Sequence, residues 1–329
     1  MNQPRRRQFI LATGALLAVP RFAGAQSPGR IAKIGYLGNS TLALESGFVG
    51  ALVRGMQSQG YAEGRNYAIT YLWAEGKNER LPELAAEFVR LKMDVIVTAG
   101  TPGTLAAKRA TATVPIVMVA VGDAVGAGLV ASLSNPGGNL TGLATLANEL
   151  EGKRLELLKE MKPDTSRVAV LMNPGNPFTP IAWRGMQEGA KKLRLTLLPT
   201  EVASPEQLEP AFSSMKSARA DALVVIADRF LLSHRTKIAE MALKAKLPGM
   251  FPFEDFVREG GLMAYAPNYP EMYQRAATFV DRILKGANPS GIPVELPTVF
   301  ELSINLKTAK ALGIAIAPAV RMRADRVIE

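Results

Sequence analysis

The sequence predicts an α/β protein built of two doubly wound lobes with parallel sheets. Three observations predict it. Short β-branched runs alternate with helix-length amphipathic segments along most of the chain, the pattern left by strand-helix-strand crossovers. The alternation falls into two successive series, each long enough for a sheet of its own. The length is also more than one core usually supports, and with 48% apolar residues each of two lobes has material for a core.

In the first series, strands are expected at 31–37, 67–73, 95–99, 116–121 and 140–146. Runs such as Val95-Ile96-Val97 and Ile116-Val117 are continuously apolar, as strands buried on both faces of a parallel sheet must be. Helices are expected at 44–59, 80–91 and 104–110, with a looser one around Val130. The second series starts after Thr145 with a helix at 149–161. Its strands fall at 168–172, 195–200, 222–226 and about 249–251, and its helices at 177–193, 205–218 and 231–244. A short strand at 262–265 leads to a helix at 269–284. A Gly/Pro-rich segment, 286–297, then leads to a last strand at 299–304. That segment suits a connection crossing between lobes and suits equally an ordinary helix-to-strand loop.

The first twenty-five residues carry Arg5, Arg6 and Arg7, an apolar run at 9–19 and then Ala23-Gly24-Ala25. This is the pattern of a secretory signal, so cleavage after Ala25 and export to the periplasm are expected. The paired arginines before Gln8-Phe9-Ile10 also resemble the twin-arginine motif, although Arg5 stands where that motif prefers Ser or Thr. The apolar run, roughly eleven residues, is too short for the ~20 that span a bilayer.

Removing residues 1–25 takes away four arginines and no acids, so the formal charge falls by four, from +10 to +6. Basic and acidic residues are interleaved apart from short pairs such as Lys191-Lys192, so no nucleic-acid partner is expected. With zero cysteines and one histidine, a disulfide framework, a thiolate metal site and a Cys nucleophile are excluded, and neither a metal nor a cofactor is expected. His234, among Arg229, Arg235 and Lys237, reads as a solvated or capping residue. Trp73 and Trp183 read as core residues.

Four segments resemble a known family. They are Gly122-Asp123-Ala124-Val125-Gly126 continuing through Asn135-Pro136-Gly137-Gly138-Asn139-Leu140-Thr141-Gly142, then Leu171-Met172-Asn173-Pro174-Gly175-Asn176-Pro177, then Ile283-Leu284-Lys285-Gly286, then Ile304-Asn305-Leu306-Lys307-Thr308-Ala309-Lys310-Ala311-Leu312-Gly313. Together they resemble the ABC-transporter substrate-binding proteins of type I periplasmic-binding-protein fold, in particular the tryptophan/tyrosine-binder-like group. The resemblance implies two Rossmann-like lobes with a hinge cleft, a small molecule held between them, and delivery of the closed form to an ABC permease in the inner membrane. It further implies a monomer, a first lobe of 26–146 plus about 268–292, and a second of 147–267 plus about 293–329.

In such sheets ligands lie beyond the carboxyl ends of the strands, so candidates follow each strand. After the first strand come Asn39 and Ser40, open to ligand contact or to helix capping. After the third come Thr98 and Thr101, where Thr101 could be the cap and Pro102 the first helical residue; in related amino-acid binders this loop grips the ligand carboxylate. Asp123 follows the fourth strand as an ammonium acceptor or a cap. The second lobe offers Asn173, Asn176, Asp228, Phe253, Glu254 and Tyr265, with Asn268 beside them. Amides and hydroxyls suit a carboxylate, Asp228 or Glu254 an ammonium, and Phe253 or Tyr265 an apolar tail. Equally, Phe253 and Tyr265 could be core, and Asp228 could pair with Arg229 or Arg235 on the surface. The leading expectation is thus a receptor of an ABC importer binding a small molecule, with an amino acid as the suggested class, by hinge closure and without catalysis. Two alternatives stand beside it: a ligand-sensing ectodomain for a signalling partner, and a hydrolase pairing carboxylates from among Asp123, Asp228 and Glu254.

Overall fold

The computed structural model describes residues 30–329, so the expected export signal lies outside the described residues. The first sheet is wound from β1 (Ala32–Gly38), α1 (Leu42–Ser58), β2 (Tyr67–Trp73), α2 (Leu81–Arg90), β3 (Val95–Ala99), α3 (Gly100–Ala110), β4 (Ile116–Val121) and β5 (Leu140–Ala144). All its pairings are parallel, in the order β2-β1-β3-β4-β5.

The chain then crosses into α4 (Ala147–Met161), β6 (Arg167–Met172), α5 (Thr179–Leu193), β7 (Thr196–Glu201), α6 (Leu208–Ser217), β8 (Ala222–Val225), α7 (Arg229–Ser233), α8 (Arg235–Lys244), β9 (Gly249–Phe251), α9 (Glu254–Arg258) and β10 (Met263–Pro267). After α10 (Tyr269–Leu284) come β11 (Phe300–Asn305), α11 (Leu306–Leu312), α12 (Pro318–Met322) and β12 (Arg326–Ile328). The second sheet runs β12-β11-β10-β9-β8-β6-β7, and β11 pairs antiparallel with β10. Its β7-β6-β8-β9-β10 portion repeats the winding of the first sheet strand for strand. Each lobe therefore has one point where the order reverses, between β1 and β3 and between β6 and β8, and there the crossover helices leave a crevice.

The expected loose helix around Val130 is replaced by turns and bends, because Gly128, Gly137 and Gly138 adopt left-handed φ of 66°, 69° and 71° and Pro136 interrupts the run. The expected helix at 231–244 is two helices broken at His234, whose Nδ1 lies 2.9 Å from the Phe230 carbonyl and 2.9 Å from Ser233 Oγ. Trp73 is half-buried and stacks on Tyr71, and Trp183 is half-buried against the second core.

One helix returns to the first lobe late in the chain. α10 packs its Met272, Tyr273, Ala276, Ala277 and Val280 face against α1 and against β4 and β5. Residues 292–295 stay with the same lobe: Thr141 Oγ1 donates to the Ile292 carbonyl at 2.7 Å, and Glu295 exchanges backbone bonds with Gly142 and Ala144. The helices approach closely at Gly55, where an added Cβ would stand 2.3 Å from the Gln274 carbonyl oxygen and 2.7 Å from Ala277 Cβ. Gly55→Leu is therefore expected to push α10 off α1 and destabilise the protein by about 2–3 kcal/mol, the usual cost of overpacking, checked by urea unfolding; wild-type stability would mean that the helices are not locked together there.

Candidate functional site

The two points of strand reversal face one another, and their residues enclose a narrow cavity of about 40 Å³. From the first lobe it is lined by Asn39, Gly100, Thr101, Pro102, Ala120 and Gly122, and from the second by Asn176, Phe178, Asp228, Arg229 and Phe253, with Tyr269 from α10.

In the first lobe, Thr41 caps α1 through its Oγ1, which leaves Asn39 free of that duty. Asn39 is buried and its Oδ1 has no partner. Glycine at 103 makes room for it, since a Cβ there would lie 2.7 Å from that oxygen. At the next strand end the expected capping is corrected: α3 starts at Gly100, whose φ of 70° turns the strand sharply into the helix, and Ala99 is the capping residue. Thr101 thus lies inside the first turn, buried, with an unpartnered Oγ1. This turn also brings the positive end of the helix dipole to the cavity.

In the second lobe, Asp228 is buried and caps α7, accepting from the Leu231 N–H at 2.9 Å through Oδ1. Its Oδ2 accepts from Asn176 Nδ2 at 2.9 Å and from Asn173 Nδ2 at 3.2 Å. Burial raises its pKa, against the pull of these donors. The amides are aimed by their own bonds: Asn173 Oδ1 accepts from the Gly175 N–H and Asn176 Oδ1 from the Phe178 N–H. Beside Asp228, Arg229 is also buried, with its guanidinium carbon 4.9 Å from the Phe48 ring centre and 5.4 Å from that of Phe253. Phe253 packs on Tyr269 at 4.9 Å, completing an aromatic wall.

Of the residues named from sequence, Asn39, Thr101, Asn176, Asp228 and Phe253 meet at this cavity, and Asn173 supports it through Asp228. The others lie elsewhere. Ser40 gives its N–H to Glu45, and Thr98 spends its hydroxyl on the Leu37 carbonyl, joining β3 to β1. Asp123 accepts from Val125 and Gly126, closing a local turn. Glu254 faces Arg258 and Arg326 on a charged groove, and Tyr265 stacks on Phe300 in a groove outside the cavity. Sequence reasoning missed Arg229, Tyr269 and Phe178. The signal available was their place one or two residues beyond a named candidate. The suggested surface pairing of Asp228 with Arg229 or Arg235 is corrected, since Asp228 is buried and its oxygens are held by amides and a backbone N–H. A larger open groove beside the crossing segments, lined by Gln59, Arg275, Glu295 and Pro297, contains no buried polar atom lacking a partner, and its Arg275–Glu295 pair satisfies itself.

Comparison with known proteins agrees with this geometry. A family model described as ABC transporter substrate binding protein matches residues 38–328. A tyrosine-binding protein of Clostridioides difficile (strain R20291) is 30% identical over 260 residues, covering 79% of this chain and 74% of that protein. A conserved domain protein of Vibrio cholerae is 28% identical with a TM-score of 0.86, and an ABC domain of Streptococcus pneumoniae in complex with L-Trp is 26% identical with a TM-score of 0.85; each covers 91% of this chain and 100% of its own. Two lobes wound alike, a cavity between their reversal points and a match across almost every described residue place this chain in the family of ABC transporter substrate-binding proteins.

Proposed function

We propose that this substrate-binding protein holds a zwitterionic amino acid with an aromatic or apolar side chain in the cavity between its lobes and delivers it, closed, to an ABC permease. The observation that carries this reading is the convergence of unmatched polar atoms on one cavity. Asn39 Oδ1 and Thr101 Oγ1 are buried on the first lobe without partners, and the buried Asp228 faces them from the second. Buried polar atoms nearly always find partners, so a group from outside is the natural complement. An ammonium suits Asp228 and Asn39 Oδ1, a carboxylate suits Thr101 Oγ1 and the start of α3, and the apolar tail suits Phe178, Phe253 and Tyr269. The names of two relatives, one tyrosine-binding and one in complex with L-Trp, support the same ligand class.

The protein works by binding and lobe closure, as a monomer, without cofactor or covalent chemistry. Of the three acids a hydrolase would have drawn on, only Asp228 reaches the cavity, and nothing in the comparisons supports the sensing alternative. The N-terminal pattern supports export to the periplasm with cleavage after Ala25. The test is a thermal-shift and calorimetric screen of refolded residues 26–329 against L-tyrosine, L-tryptophan, L-phenylalanine, L-leucine, benzoate and ribose. At a hundred times its Kd, an aromatic amino acid is expected to stabilise the protein by about 2.7 kcal/mol. A response to ribose or benzoate with none to any amino acid would overturn the reading.

A further inference from the structure

Arg229 is a second-lobe residue that reaches into the first. Its Nη2 donates to Tyr273 Oη at 3.1 Å; Tyr273 belongs to α10, which packs on α1, and the Phe48 ring beneath the guanidinium belongs to α1. The residue lines the cavity, is 8% exposed, and its Nη1 has no partner. Among the described residues it makes no ion pair. Glu45, the acid acting on it from the first lobe, is occupied by the Tyr36 hydroxyl at 2.8 Å and the Ser40 N–H at 3.0 Å. Asp228 beside it is likewise engaged. A guanidinium does not shed its proton, so the cation stays charged in this setting. Two aromatic faces and one phenol offset part of its desolvation, but one arm is left without an acceptor.

We propose that Arg229 is the specificity-determining residue for a ligand carboxylate and, by the same contact, a gate on closure. This rests on the amino-acid reading above. When the lobes close around an amino acid, Nη1 donates to its carboxylate and the buried cation gains its counter-charge. When they close on nothing, or on an amine lacking the carboxylate, that arm stays dry and unpaired. The ligand thus supplies the missing acceptor of an interlobe contact, so the closed state becomes favourable only with the right charge inside.

The experiment compares the wild-type chain with Arg229→Met and Arg229→Lys. Kd is measured for L-tyrosine and L-tryptophan and for tyramine and tryptamine, which lack only the carboxylate. Because the sequence has zero cysteines, Lys77→Cys and Ala203→Cys, both exposed and one on each lobe, take a spin-label pair without side reactions, and their distance reports closure. The wild type is expected to prefer the amino acids to the amines at least about 100-fold. Arg229→Met is expected to lose about 100-fold for the amino acids, change the amines less than about 3-fold, and close no less than wild type when ligand-free. Arg229→Lys, which keeps the charge and loses the fork, is expected to lose about 10-fold for the amino acids alone, and decides the matter if the methionine variant does not fold. Equal losses for amines and amino acids, or a ligand-free protein that opens on substitution, would make Arg229 a structural brace and overturn the proposal. Failure of the functional reading is separately visible: the wild type would then bind neither amino acid, while the ligand-free distance would still report whether Arg229 opposes or favours closure.

Discussion

Asp228→Ala is expected to lower amino-acid affinity by at least about a hundredfold and also to weaken the fold. Three donors, from Leu231, Asn173 and Asn176, converge on this one carboxylate. Removing it leaves two buried amide donors unpartnered, at about 1–3 kcal/mol each, and strips α7 of its cap, at about 1 kcal/mol. These costs overlap because the groups relax together, so a loss of about 3 kcal/mol in urea unfolding is the expected sum. The ligand loses its counter-charge as well. Asp228→Asn separates the effects. It keeps the shape and, with its oxygen toward Leu231, the cap, but its amide nitrogen then faces the Asn173 and Asn176 donors, so it should lose about 1–3 kcal/mol of stability, no more than the alanine variant, and still lose most of the affinity, read by calorimetry. Wild-type affinity in the asparagine variant would remove Asp228 from the ligand's ammonium.

Gly122→Leu is expected to do the reverse, sparing the fold and preventing closure. Gly122 follows β4 in the first lobe, and a Cβ there would stand 2.4 Å from the Phe178 ring of the second. Its φ is not in the left-handed region, so the backbone accepts a side chain without strain. The nearest atoms that its Cβ would meet all belong to the Phe178 ring of the other lobe. Stability of the ligand-free protein should stay within about 0.5 kcal/mol of wild type, while affinity falls at least about 30-fold and small-angle scattering shows an open molecule in saturating ligand. Adding Phe178→Ala should restore closure in scattering by clearing the space, with affinity still below wild type because the ring also walls the ligand's tail. A closed, tight-binding Gly122→Leu would show that the ring simply moves aside.

The contrast between these two residues indicates what was legible in the sequence. Strands β2, β3, β4 and β9 and helix α10 have the bounds expected from pattern, because β-branched runs between glycines and a 3-4 apolar spacing after Asn268-Tyr269-Pro270 have few other solutions. Short terminal elements were not foreseen: α9, α11, α12 and β12 have five, seven, five and three residues, too few for a period to declare itself. The rule that ligands lie beyond strand ends located Asn39, Thr101, Asn176 and Asp228. It could not choose between adjacent residues that point opposite ways, so Ser40 and Thr98 were named although their bonds turn inward to Glu45 and Leu37. Arg229 was passed over because an arginine beside an aspartate reads as a solvated pair, and only the tertiary arrangement of Phe48, Phe253 and Tyr273 buries it.

The late return of α10 to α1 bears on how the chain is made. The first lobe begins at β1, yet the helix that covers its sheet lies more than two hundred residues downstream, and the second lobe gains β11 and β12 later still. At a ribosome adding about 5–20 residues per second, the first strand waits on the order of ten seconds or more for its partner. Neither body can complete its core until the last fifth of the polypeptide has emerged, so cooperative folding is postponed to the end of synthesis. The folding speed of a chain threaded this way is set by loop closure across distant segments rather than by local helix formation.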